Sequence, residues 1–385
     1  MSINAADLGD LITTTQKELG ELKYTDLSTD VQFYTALSRL FQESQVSYEA
    51  GPSIQWNLMT ENSGAAKQTG LFAVDNLNVS DVMSTAEIGW KHTTVNYAIE
   101  RREIAMNRDP RRIVDLVKVR RNDAMISLTD HLEGQFWGKP ANDAALDMNG
   151  VEYWISDATG MTTDGLSVGE FGFKGGVPTG FTSVAGVNPT NTPRWQNGLG
   201  QFAATDVSDP IGSFKTTVNQ QTNTAVEVNE AMGQPGILDV MKEAYVKCDF
   251  KPIEKAPYPS YNGTPDKWGI YCGYEVLSAL EIMQNRLNDR VVSRDVATDA
   301  NGITSFRGVP ITYVPKLDSK TGTPIYMIQW GSFRSVLLSG EYMKETGPDT
   351  APNQHTVFTT HVDCTMNMQC VDRRRNALLC SAAVG

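Results

Sequence analysis

The chain has 385 residues, of which 40% are hydrophobic and 20% charged, and its formal net charge is −12. Such a length can bury large cores in two or more domains, and such a composition is globular rather than disordered. The negative balance argues against tight non-specific nucleic-acid binding, which needs cationic groups to displace counterions. The five cysteines form no C-x-x-C pair and suit reduced thiols better than a disulfide framework. No apolar run reaches the roughly 18 residues that span a bilayer, and the N-terminus lacks the basic and apolar regions of a secretory signal. Synthesis in the cytoplasm is the expectation.

Residues 1–50 read as an arm. Leu8, Leu11, Ile12 and Leu19 form a short apolar stripe on a helix over 5–22. Phe33, Leu37, Leu40 and Phe41 mark a second helix over 31–44. Two short amphipathic pieces on an open polar connector must dock on the body or on a neighbouring chain.

Residues 51–107 read as a long β-hairpin. Ile54, Trp56 and Leu58 alternate outward, a small polar tip spans 62–70, and the return strands run over 77–99. Ala86, Ile88 and Trp90 keep a period of two. Val95, Tyr97 and Ile99 resume it one residue out of phase, which predicts a bulge or bend between them. An isolated hairpin is marginal in water, so one this long implies a partner surface.

Asp109 and Pro110 then start a helix, with a capping carboxylate and a proline suited to the first turn. No proline follows until Pro140, which gives about 28 helical residues, or roughly 42 Å. Ile113, Val114, Val117, Ala124, Met125, Leu128, Leu132 and Phe136 fall on one broad stripe, and Arg121 falls inside it.

Residues 140–235 are rich in turns. Helices are expected over 237–248 and 274–287, and strands over 268–271, 309–314 and 325–330, a pattern suggesting a second α/β domain. Strands over 356–368 and 369–379 read as a β return completing the domain that holds the long helix. The middle is then an insertion between two halves of one domain.

Signatures of catalysis are scarce. His361, Asp363 and Cys364 resemble a metal or nucleophile cluster, but Cys364 points to the opposite strand face and no further ligand sits at metal spacing. The glycine-rich stretch 169–176 has no helix after it and reads as a turn, not a phosphate cradle. The basic cluster Arg101, Arg102, Arg108, Arg111 and Arg112 has two readings of near-equal weight. One is a solvated helix face with i,i+4 pairs such as Arg111–Asp115. The other is an intersubunit ion-pair patch facing acidic groups on another chain's arm or loop. Arg121 within the apolar stripe calls for a buried partner. The run Arg373, Arg374 and Arg375 has the same ambiguity, and DNA contact is a weaker third option given the net charge. Lys67 at the hairpin tip is a solubilising charge on the simplest reading. The sharper alternative is an isopeptide bond to an asparagine such as Asn376 of a neighbour.

The order of arm, long hairpin, long helix, inserted α/β domain and β return resembles tailed-bacteriophage major capsid proteins of the Hong Kong 97 type. Local stretches look similar as well: WKHTTVNYAIERREIAMN (90–107), FWGKP (136–140), GEYMKETG (340–347), APNQHT (351–356) and DRRRN (372–376). The resemblance implies an α+β fold. Its parts would be an N-arm (1–50), an extended hairpin loop (51–100), a peripheral domain with a spine helix (101–140), an axial α/β domain (141–335, with an insertion near 191–236) and the peripheral β return (336–385). It implies a non-enzymatic subunit without cofactor or metal. Pentamers and hexamers would form an icosahedral head around double-stranded DNA, without sequence-specific binding and without a membrane. Portal, a separate scaffold protein and a decoration or cement protein are the partners it suggests, and the virion is the location. A separate scaffold or none is expected, because the chain starts almost directly at the arm. Arg101, Arg102, Arg108, Arg111, Arg112, Arg121, Lys67, Arg373, Arg374 and Arg375 are the candidate intersubunit contacts. The same-fold rival is an encapsulin, a shell around protein cargo. The rival of another class is a β-rich glycan-binding protein or hydrolase, which the scattered tryptophans do not favour.

Overall fold

A computed structural model describes residues 34–41, 46–60, 68, 82–106, 110–157, 166–208, 216–219, 224–227, 236–248, 268–287, 296–298, 302–318, 320–350 and 354–381. The expected helix over 5–22, the hairpin tip with Lys67, and Arg108 lie outside the described residues.

Seventeen strands are described: β1 Val46–Glu49, β2 Ile54–Met59, β3 Met83–Ile88, β4 Lys91–Glu100, β5 Phe171–Gly175, β6 Asn197–Gln201, β7 Thr216–Asn219, β8 Thr224–Glu227, β9 Trp268–Cys272, β10 Val296–Thr298, β11 Thr304–Phe306, β12 Val309–Tyr313, β13 Ile325–Gln329, β14 Phe333–Leu338, β15 Lys344–Thr350, β16 Val357–Cys370 and β17 Ala377–Cys380.

The helix expected from Pro110 runs over Pro110–Trp137, 28 residues long. Its buried positions Ala124, Leu128, Leu132 and Phe136 follow the predicted stripe. They face a five-stranded sheet built around β16, a strand of 14 residues. On one side β16 pairs with β4 in an unbroken antiparallel register from Val357↔Glu100 to Met366↔Lys91. On the other side β14 and β15 lie end to end along it, and β1 adds in parallel to β14.

The second sheet has eight strands in the order β10-β11-β12-β9-β13-β17-β6-β5. It is mixed: β12 runs parallel to β9 and β17 parallel to β6, while β13 is antiparallel to both β9 and β17. Its central strands β9, β13 and β17 are buried along their whole length because both faces are covered. Along β13, Tyr326 and Ile328 enter the core shared with the long helix. Ile325 and Met327 enter a second core under the helices Ile237–Lys247 and Tyr274–Leu287. The long helix ends against this sheet, with the Trp137 ring 5.4 Å from Tyr271 and 6.2 Å from Tyr326.

Five sequence expectations are corrected. The return strand of the hairpin ends at β3, which pairs with β2 from Ile54↔Ile88 to Met59↔Met83; β4 leaves at the expected phase break and crosses to β16. The base of the hairpin needs no partner chain, because Ile54, Leu58, Ala86 and Ile88 are buried in this chain's own core and Glu87 N–H donates to Ala185 O at 3.0 Å. The β return divides after β16. The 3₁₀ turn Arg373–Arg375 redirects the chain, and β17 joins the eight-stranded sheet rather than the sheet of β16. Within the stretch 169–176, Phe171–Gly175 forms strand β5, paired with β6, instead of a turn. The second arm helix is shorter than expected, Thr35–Leu40.

Candidate assembly surfaces and their internal supports

The charged candidates separate into three settings. Arg373 is fully buried. Its Nε donates to Trp154 O at 2.7 Å, Nη1 to Trp195 O at 2.8 Å, and Nη2 to Gly176 O at 3.1 Å and Asn197 Oδ1 at 2.9 Å. Burial pulls its pKa down to about 10. The guanidinium therefore gathers the chain leaving the Val151–Trp154 helix, the exit of β5, the entry of β6, and the turn between the two sheets. Arg373 is an internal tie and is removed from the intersubunit candidates, because no face of it reaches solvent. Arg374 and Arg375 stay near the surface, and both flank Asp372, at 3.8 and 3.7 Å.

Asn376 is buried too. Its side chain donates to Ser332 Oγ and Asp372 O, each at 3.0 Å, and accepts from Gln329 N at 2.9 Å. An isopeptide bond from a neighbour's Lys67 to Asn376 is thereby ruled out as a reading, because the amide is sealed and committed.

The second setting is the basic end of the long helix. Arg101 is exposed, and Arg102 Nε lies 3.6 Å from Glu100. The side chains of Arg111 and Arg112 lie outside the described residues. Arg121 is corrected from a buried position: its side chain is 48% exposed and its Nε donates to Glu345 on β15 at 2.8 Å. A long side chain can leave the apolar stripe and carry its charge to the rim. Arg120 is the better buried of the two. Its Nη1 and Nη2 grip Glu103 at 2.8 and 3.0 Å, and Nη1 also donates to Ala98 O at 3.0 Å. The Arg120 bonds hold the Glu103 carboxyl below its ordinary range.

The third setting, which the sequence reading missed, is Glu133. It is buried, and its carboxylate accepts from Ala36 N at 3.0 Å, Leu37 N at 2.9 Å and Trp137 Nε1 at 2.8 Å. One carboxylate thus caps the arm helix Thr35–Leu40 and fixes Trp137. Glu133 lies outside the predicted apolar stripe, so no signal in the helical pattern marked it as buried.

His361, Asp363 and Cys364 do not converge. Cys364 is buried on the opposite face, and Asp363 lies 3.7 Å from His92 of β4. Among the described residues no group of three or more His, Cys, Asp or Glu is arranged to hold a metal, and no helix is long and apolar enough to cross a membrane. A shallow cavity of about 370 Å³ lies between β4 and the long helix, lined by Val95, Leu128, His131 and Leu146 among others.

No protein-family model matches the chain, and no curated protein matches its sequence. Solved structures do match its fold along nearly the whole length. The capsid chain of cyanophage A-1(L) aligns with a TM-score of 0.54 at 12% identity, covering 96% of this chain and 99% of that one. The capsid of the myovirus phage XM1 aligns at 0.51 and 10% identity, covering 94% and 97%. The SrpI encapsulin of Synechococcus elongatus PCC 7942 aligns at 0.50 and 10% identity, covering 100% and 96%. The chain has the Hong Kong 97-type capsid fold.

Proposed function

We propose that the protein is a major capsid protein, a structural subunit whose pentamers and hexamers close into an icosahedral phage head around double-stranded DNA. The observation carrying this reading is two-way coverage: the cyanophage capsid chain and this one share the fold over 99% and 96% of their lengths. In this reading the hairpin continues from its anchored base onto the adjacent subunit, and the arm continues from Glu133 beneath it. A net charge of −12 suits a container that does not grip its DNA, and it demands strong local complementarity between subunits. Assembly would take place in the host cytoplasm with a portal and a separate scaffold, with decoration proteins as further partners. The chain's role is structural rather than catalytic.

The encapsulin alignment, which covers all of this chain, favours one second reading: a shell around protein cargo. Expression of the chain alone and with its neighbouring genes, followed by negative-stain microscopy, tests both. Closed shells or capsomer rings support a shell subunit. Nuclease-protected DNA then points to the phage head and a co-purifying cargo protein to the encapsulin. Dispersed monomers under both conditions would overturn the proposal.

A further inference from the structure

Four strands of the eight-stranded sheet, β6, β9, β12 and β17, run in the same direction. Their carboxyl ends share one edge, and a crevice outside such an edge is where α/β sheets hold ligands. On this edge the chain leaves β6 into the short helix Thr205–Ser208 and leaves β9 into the helix Tyr274–Leu287. A cavity of about 440 Å³ is lined by both helices. Val207, Ala279 and Ile282 give it apolar walls, and Thr323 and Ser381, beside β13 and β17, line it from the sheet.

β17 delivers the chain into this cavity. Ser381 N–H donates to Gly322 O at 2.9 Å, and Ser381 Oγ lies 3.2 Å from Thr323 Oγ1. Ser381 is thereby fixed against the lining, and the next residues are Ala382, Ala383, Val384 and Gly385, outside the described residues. We infer that the tail 382–385 docks in the cavity of its own chain, with Val384 seated between the two helices.

Reach, size and charge select this occupant. Four residues extend at most about 14 Å, so a tail tethered at Ser381 stays beside the cavity at a high effective concentration. The tail carries no charged side chain and none larger than valine, which suits walls that include the small residues Ser278 and Ala279. The hydroxyls of Ser208 and Ser278 line the same space and suit the peptide groups that a docked tail must pair. Segment 209–215 also leaves the cavity lining, at Ser208, but it carries Asp209 and Lys215 and must continue to β7. Burying those charges would cost more than burying an apolar tail.

Thiol labelling of the dispersed chain tests the docking, because all five native cysteines are buried. The thiol of Val384→Cys should react about tenfold more slowly than that of Leu146→Cys, a position that is 86% exposed. Adding Ser278→Trp to the Val384→Cys chain should fill the cavity and restore fast labelling. Ile282→Trp is a second filler if the first lacks a cooperative thermal transition. Equal rates at 384 and 146, or slow labelling that neither filler changes, would overturn the inference. So would protection of the thiol that vanishes on dilution, which would assign the cavity to the tail of a second copy.

Deletion of residues 382–385 gives an independent measurement. Hydrogen exchange should rise over Thr205–Ser208 and the first turns of Tyr274–Leu287, while β2 and β3 stay unchanged. Unaltered exchange in both helices would overturn the inference. Neither readout uses particle formation, so failure here leaves the shell reading intact.

Discussion

Arg373 illustrates how a charged residue can be structural without a counter-charge. Its donors meet carbonyl and amide oxygens of Trp154, Trp195, Gly176 and Asn197, so the charge is solvated by the chain instead of by water. Removing it strands several buried acceptors at once. Arg373→Ala should lower the unfolding free energy by about 3–5 kcal/mol in urea titrations, while Arg374→Ala should stay within about 0.5 kcal/mol. This difference was not legible in the sequence, where three consecutive arginines look alike; only the 3₁₀ turn between β16 and β17 turns the first one inward. Glu103 makes a pH prediction. Its folded pKa lies below the ordinary 4.5, chiefly through Arg120, so the stabilisation is present above that value and is lost as pH falls through the folded pKa. The urea midpoint should therefore drop on acidification below pH 4.5, and Glu103→Gln should flatten that drop. The five thiols are all buried, and desolvation raises Cys272 to about 12 and Cys364 to about 11. The native protein should resist thiol reagents and titrate five equivalents once unfolded, in keeping with the five cysteines of the sequence.

At the scale of elements, the long helix and the arm share one latch. Glu133→Ala would leave Ala36 N, Leu37 N and Trp137 Nε1 without their acceptor. It should cost about 2–4 kcal/mol. Hydrogen exchange should rise across Thr35–Leu40 while β9 and β13 stay protected; unchanged exchange in the arm helix would refute the latch. The end of the helix is equally constrained. A Cβ on Gly150 would sit 2.3 Å from Gln135 O, 2.4 Å from Gly138 O and 2.6 Å from Phe136 O, so Gly150→Ala should give little soluble protein. The long helix was readable because Pro110 and Pro140 bracket an unbroken apolar period, and the helix Tyr274–Leu287 because its stripe ends cleanly. The partner of β4 was not, since Thr94↔Asp363 joins residues from opposite ends of the chain and alternation alone does not name a neighbour. Arg121 was misread for a related reason: helical angle places its Cα over the core, but its length lets it reach Glu345. Arg121→Glu should leave the monomer folded, as judged by circular dichroism, and reduce assembly, as judged by sedimentation.

At the scale of the molecule, two sheets share one core. That core runs from the face of β16 through Trp137, Tyr271, Tyr326 and Trp330 to one side of the eight-stranded sheet. The second core, under Ile237–Lys247 and Tyr274–Leu287, completes the other side. The body is thus finished within one chain. The sequence continues beyond it as the hairpin between Met59 and Met83 and as the arm before Tyr34, and both methionines are exposed, at 70% and 58%. In the proposed head these two extensions and the basic helix end join one subunit to the next. The most direct test is a cryo-electron microscopy reconstruction of particles formed by this chain co-expressed with its neighbouring genes. The account predicts a closed icosahedral shell in which the body described here repeats in fivefold and sixfold rings, with hairpin and arm crossing onto adjacent copies. A preparation that yields only dispersed monomers, or an assembly whose contacts leave both hairpin and arm on their own subunit, would contradict it.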